Sequence, residues 1–242
     1  MIIHHDNFIL LGTSHVAKES AKEISDVIEN NDIEVVAIEL DIHRLQNLLN
    51  KKKQKEKTFD IIREIGISGY LFAKIAGSMQ KKVGNNLGID PGIDMKTAYL
   101  KAREKKLPTT LIDVPIQITL KKLSRIPFLK KMVMFFKLFT AGFNKENRKK
   151  MLFDVNKGVP SQQKIDQMLD VVKKEVPLFY DILIEQRNYY MVNKLIKLKE
   201  KHHGKILVVV GAGHLRGMVA LLKKQVKKND SSFTFSFQAN IE

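Results

Sequence analysis

Two Gly-x-x-His turns, one near each end of the sequence, constrain the fold more than any other feature. Gly12 and His15 follow the apolar run 8–11, and Gly211 and His214 follow the apolar run 206–210. Each turn precedes a segment with helical periodicity. This order is typical of a buried strand in a parallel sheet: a short apolar run, then a glycine that allows a sharp turn or a close approach, then a helix. We therefore expect both histidines at one edge of a sheet.

Two further apolar runs, 35–38 and 109–112, are predicted strands, and they end in Glu39 and Asp113. Strands that alternate with helical segments predict βαβ units. The sequence thus predicts an α/β fold with a mainly parallel central sheet and helices on both faces. We expect a single domain, 1–242, with a helical insertion at about 51–95 and a further helical region at about 115–200. Residues 233–237 alternate Phe with Thr or Ser and predict a last strand at an edge.

Composition narrows the chemistry and the partners. The absence of cysteine excludes disulfides, thiolate metal sites and a cysteine nucleophile. The net charge of +16 suits an anionic partner, but Trp is absent and aromatic residues make up 7%, which argues against nucleic acid. No signal peptide is evident, so a cytoplasmic protein is expected. The basic, apolar segment 126–143 is too short and too charged to span a bilayer; it either packs over the core or contacts a membrane surface peripherally.

The polar residues that follow the predicted strands suggest a metal site. Ligands of parallel α/β sheets bind at the carboxyl ends of the strands. His15, His214 and Glu39 would supply two imidazoles and a carboxylate, which suit Mn, Co, Zn or Fe. Glu39 is either a ligand or the general base, and the sequence does not separate these roles. The alternative is that each histidine only caps a helix.

Two arginines are the cations expected near this site. Arg44 lies about one helical turn beyond Glu39, and Arg187 lies on a helix with an apolar opposite side. Either could bind a substrate carboxylate or stabilise developing negative charge. The alternative is simple ion pairing with Asp41 or Glu185.

These residues together resemble the TraB/PrgY family, within the wider TraB/GumN/TIKI group. The resemblance covers nearly the whole chain and rests on the segments 12–20, 36–44, 87–95, 111–121, 187 and 209–214. It implies a divalent-metal-dependent hydrolase of the peptidase-like kind, which acts on a peptide or another small molecule. The family's paired histidines match His15 and His214, and its acidic residue matches Glu39.

The resemblance also suggests further roles and shows departures. It implies catalytic roles for Arg44, Asp113 and Arg187, and substrate binding by four residues, Arg44, Arg187, Asp94 and Thr119. The family usually has Glu at 94, Arg at 114 and Glu-Arg-Asp at 186–188, where this chain has Asp, Val and Gln-Arg-Asn. Many members also carry a C-terminal membrane region, which is missing before Glu242, so a soluble member is expected. The alternative function is a non-catalytic protein that binds or sequesters a peptide or small ligand, and the oligomeric state is left open.

Overall fold

The computed structural model describes residues 1–13, 17–49, 92–141 and 161–238. The strands in these residues are β1 (Ile2–His5), β2 (Phe8–Thr13), β3 (Ile33–Ile38), β4 (Thr109–Leu111) and β5 (Lys205–Gly211). They form one sheet in the order β1-β2-β5-β3-β4. β2, β5, β3 and β4 are parallel, and β1 pairs antiparallel with β2. The predicted α/β class with a mainly parallel sheet is confirmed.

Strand β5 lies in the middle of this sheet, although it comes last in the chain. Phe8 of β2 pairs with Ile206, and Val36 of β3 pairs with Leu207. The far end of β2 reaches the far end of β5, where Thr13 pairs with Gly211. The two glycine turns therefore begin side by side, as the sequence predicts.

Helices flank the sheet on both faces. They are α1 (Ala17–Asn30), α2 (Ile42–Leu49), α3 (Ile93–Glu104), α4 (Ile116–Ser124), α5 (Phe128–Ala141), α6 (Gln162–Glu175), α7 (Pro177–Tyr180), α8 (Gln186–Lys199) and α9 (Ala212–Gln238). A π-helical turn, Asp181–Glu185, joins α7 to α8. No helix in the described ranges is long and apolar enough to cross a membrane.

Alternate residues of the central strands supply two separate cores. Leu10 and Val208 pack on the side of α8 and α9, while Leu11 and Val209 pack on the side of α1 and α3. All four are fully buried. Because successive side chains of a strand point to opposite faces, a sheet covered on both faces needs continuous apolar runs. These apolar runs are the reason that the central strands can be predicted from the sequence.

Gly12 is required by packing at this junction. A Cβ atom there would lie 2.7 Å from Cδ2 of Leu215, at the start of α9. Among the described glycines, only Gly92 has a positive φ, of 81°. The glycine of the first turn therefore allows β2 and α9 to approach closely, and it does not serve a left-handed backbone.

Several local predictions are corrected. Residues 233–237 belong to α9 and do not form an edge strand. Extending an existing helix adds one hydrogen bond per residue, whereas a new strand needs a partner strand within reach. Residues 2–5, which precede the first predicted strand, form β1. The helical region expected at about 115–200 contains a π-helical turn between α7 and α8. The predicted insertion lies, up to residue 91, outside the described residues, and its last part begins α3.

Candidate active site

The carboxyl ends of β3, β4 and β5 deliver three of the predicted polar residues to one edge of the sheet. Glu39 follows β3 directly, and Asp113 comes two residues after β4. His214 lies in the first turn of α9, just after β5. All three side chains are buried, with exposures of 6, 3 and 5%. This convergence at the strand ends is the one that the sequence predicts.

Arg187 joins the two carboxylates. Its Nε donates to Oδ1 of Asp113 at 2.9 Å and its Nη2 to Oδ2 at 2.8 Å, which is a bidentate pair. Nη2 also donates to Oε1 of Glu39 at 2.5 Å. Nη1 donates to the carbonyl of Leu183, in the π-helical turn. Burial opposes the charged guanidinium, but Glu39 and Asp113 outweigh it and raise the pKa of Arg187.

Arg44 completes the charge balance of this cluster. Its Nη1 donates to Oδ2 of Asp113 at 2.7 Å. The predicted alternatives, pairing of Arg44 with Asp41 and of Arg187 with Glu185, are not what forms. Asp41 instead caps α2 by accepting from the backbone N–H groups of residues 43 and 44, and Glu185 pairs with Lys173. Two arginines thus neutralise two buried carboxylates.

Glu39 accepts from both sides of the site. The backbone N–H of Gly211 donates to Oε2 at 2.7 Å, while Nη2 of Arg187 donates to Oε1. Burial disfavours the carboxylate, but His214, Arg187 and the Gly211 N–H outweigh it, so the pKa of Glu39 lies below its ordinary value. Glu39 is therefore a carboxylate at neutral pH.

His214 is held in one orientation by Asn188. Its Nδ1 lies 2.7 Å from Oδ1 of Asn188, so Nδ1 carries the proton. Burial lowers the pKa of His214, and the attraction of Glu39 does not reverse this. The ring is then neutral, and its bare Nε2 lies 3.3 Å from Oε1 of Glu39. Two lone pairs face each other across this gap, an arrangement that favours a cation or a proton between them.

Asn188 and Gly217 support the site in ways that the sequence prediction missed. Asn188 is 3% exposed and directly follows Arg187 on α8. Gly217 lies one turn beyond His214, and a Cβ atom there would overlap Nδ2 of Asn188. The only sequence signals are these short offsets from Arg187 and His214.

We expect Gly217→Ala to displace the Asn188 amide and free the His214 ring. Loss of a group that orients a metal-binding or catalytic histidine typically costs about 10- to 100-fold. The measurement is Mn²⁺ affinity by calorimetry, together with the melting temperature. Gly213→Ala is the matched control, because its Cβ would meet only Cδ1 of Leu169, at an ordinary 3.6 Å. Equal affinities for the two variants would contradict a role for Asn188.

The remaining predicted residues lie around this cluster. Asp94 is fully buried in α3, where its Oδ2 bonds the hydroxyl of Thr13 at the end of β2. Thr119 is buried in α4 and lines a pocket of about 140 Å³ with Ile118 and Arg187. His15 lies outside the described residues. A larger pocket, of about 270 Å³, lies on the other side of Asn188 and is bordered by α6, α8 and α9.

Comparison with known proteins shows the family to which the chain belongs. A family model described as TraB/PrgY/gumN matches residues 2–228. The chain belongs to this family. It is also 33% identical over 231 residues to MJ1365, an uncharacterized protein of Methanocaldococcus jannaschii. That match covers 94% of this chain but 56% of the relative, so the chain spans little more than half of its length.

Two departures from the TraB family pattern fall within the described site. Asn188, where the family usually has Asp, supplies the acceptor for His214 without a negative charge. Gln186, where the family usually has Glu, accepts from Lys122 through Oε1 and donates to Asp181 through Nε2. Both amides keep hydrogen bonds while removing charge.

A divalent metal, which the TraB resemblance implies, can be compared with these donors. Two tetrahedral ligands at about 2.1 Å from Zn²⁺ lie about 3.4 Å apart. Nε2 of His214 and Oε1 of Glu39 lie 3.3 Å apart, and both present lone pairs. In the part of the chain that the structure describes, no group of three His, Asp or Glu side chains could hold a metal. The described pair fits two ligands, and His15 is the third that the sequence predicts.

Proposed function

We propose that this protein is a divalent-metal-dependent hydrolase with peptidase-like activity. The observation that carries the proposal is the pairing of His214 Nε2 with Glu39 Oε1 at 3.3 Å, with Nδ1 fixed by Asn188. A neutral imidazole with a bare Nε2 beside a carboxylate is the form that binds divalent metals. Family membership supports the same reading.

The metal, which is Mn, Co, Zn or Fe, would be held by His214, Glu39 and His15. When bound, such a metal polarises a carbonyl and lowers the pKa of a bound water. Glu39 offers either a ligand oxygen or a base in the same place. Asp113 would position the two arginines, because its Oδ2 accepts from Arg44 and Arg187 and its Oδ1 accepts from Arg187.

Arg44 is the cation best suited to bind substrate. Arg187 is 17% exposed and donates to Glu39, Asp113 and Leu183, so four of its five N–H groups are committed. Arg44 is 36% exposed and, among the described residues, uses one N–H group on Asp113. Its outer N–H groups can hold a peptide carboxylate or a developing oxyanion.

The pocket beside Arg187 would take an apolar part of the substrate. The pocket is lined by Val114, Ile118, Ile182 and Tyr190, and the buried Thr119 forms part of its wall. An apolar wall next to a charged cluster binds one part of a ligand by burial and orients another by polar contacts. A peptide with a hydrophobic side chain near the cleaved bond satisfies both.

The test is metal content and affinity of the purified protein. We expect near-stoichiometric Mn, Co or Zn by elemental analysis after loading, and loss of the metal in His15→Ala/His214→Ala. His202→Ala is the matched control, because His202 also pairs with a glutamate, Glu34, at 2.6 Å on the surface. A peptide pool is then screened for hydrolysis. Negligible metal in the wild-type protein as well as in His15→Ala/His214→Ala would overturn the proposal. Peptide binding without hydrolysis would favour the non-catalytic alternative.

A further inference from the structure

Helix α5 presents several large apolar side chains to solvent. Five of them are 54–78% exposed: Phe128, Leu129, Met132, Val133 and Phe136. Steps of one, three and four residues place them on one face of the helix. Contiguous exposed apolar surface of this kind marks an interaction site.

The opposite face of α5 contains a buried lysine. Lys131 is 6% exposed, and its Nζ donates to the carbonyl of Ser124 at 3.2 Å. Burial lowers the pKa of Lys131. Beside it, Met134 packs into a small core with Phe179 and Ile182. The helix therefore buries a cation while it exposes leucine and phenylalanine, the reverse of a helix that only covers a core.

The segment that contains this helix carries charge of one sign. Residues 116–141 contain six lysines and arginines and no aspartate or glutamate. Lys121, Lys122, Arg125 and Lys130 are exposed. Lys130 lies at one edge of the apolar face. A basic rim around an apolar stripe is the pattern of helices that lie in the interface of an anionic membrane.

We propose that α5 docks this protein on an anionic lipid surface, with its apolar face at the boundary between headgroups and acyl chains. The basic rim pairs with lipid phosphates, and the exposed side chains enter the apolar boundary. A second copy of this chain fits the face less well, because it would bring two basic segments together in a protein of net charge +16. The proposal does not depend on hydrolase activity.

The absence of tryptophan from the chain allows a direct test. Leu129→Trp places one fluorophore at the most exposed position of the face, at 78%. Leu100→Trp, on α3 at 44% exposure, is the control. Vesicles that mix phosphatidylglycerol with phosphatidylcholine should shift the emission of Trp at 129 to shorter wavelength. Vesicles of phosphatidylcholine alone should cause no shift, and added salt should reduce the shift seen with the mixed vesicles. The control should not respond.

Charge reversal tests the basic rim separately. Arg125→Glu/Lys130→Glu should weaken vesicle binding by at least about 30-fold, since each basic residue near an anionic surface contributes roughly fivefold. Lys197→Glu/Lys201→Glu changes the net charge equally at exposed positions on and after α8, and it should leave most of the affinity. Circular dichroism checks that both variants remain folded.

Three outcomes would overturn the proposal. Emission that is already at short wavelength without vesicles, and unchanged by them, means that another part of this chain covers the face. A shift that depends on protein concentration without vesicles means that a second copy covers it. Solvent-like emission with every vesicle, or an equal response of the control, means that the face does not bind lipid.

Discussion

Arg187→Met is expected to lower the free energy of unfolding by about 3–5 kcal/mol, the largest stability effect among the variants considered. The guanidinium is the only group that contacts both Glu39 and Asp113 among the described residues. Both carboxylates are buried, and removing one partner of a buried ion pair leaves an uncompensated charge. Urea denaturation monitored by circular dichroism measures the loss.

Two further variants control for size and for charge. Arg216→Ala removes an arginine that is 63% exposed and lies 3.5 Å from Asp170, so it should cost about 1 kcal/mol or less. Arg187→Lys keeps the charge but not the bidentate fork, so we expect an intermediate loss. If Arg187→Met cost no more than Arg216→Ala, the network would not require the guanidinium.

Glu39→Gln is expected to reduce turnover by about 10²- to 10⁴-fold if Glu39 is the base of the proposed hydrolase. The variant also has a structural cost. Both carboxylate oxygens accept from donors, the Gly211 N–H and Arg187 Nη2. An amide offers one acceptor and one donor, so one native donor faces an NH₂ group, at a cost of about 1–3 kcal/mol. Steady-state kinetics of the metal-loaded variant, together with its metal content, separate the two effects.

Glu34→Gln is a closely matched control for this variant. Glu34 contacts a histidine, His202, at 2.6 Å and a glycine N–H, that of Gly204, at 2.6 Å, but on the protein surface. It should retain wild-type turnover. Full turnover of Glu39→Gln would exclude the base role, whereas lost turnover with lost metal would indicate that Glu39 is a ligand.

The sequence predicted the sheet edge well, because the signals are local there. A buried parallel strand needs a continuous apolar run, and the first polar residue after it lies at the carboxyl edge. Glu39, Asp113 and His214 follow from that rule. Arg187 was predicted to lie nearby, but its two carboxylate partners depend on the tertiary approach of α8 to the sheet.

Other features had no local signal. Asn188 and Gly217 act on His214 through space, and neither belongs to a periodic pattern or a strand end. The alternation over 233–237 indicated a strand, yet whether alternating residues form one depends on a neighbouring strand. The apolar content of α5 was evident in the sequence, but its outward direction was not, because the burial of Lys131 is set by its neighbours.

The central position of β5 has a consequence for biosynthesis. β2 and β3 are synthesised early, but each pairs with β5, whose residues emerge last among the strands. The hydrogen bond from Gly211 to Glu39 spans 172 residues. Until β5 leaves the ribosome, two apolar strands have open edges, and such edges are prone to aggregate. The nascent chain should therefore depend on chaperones, and its site should form only in the last step of folding.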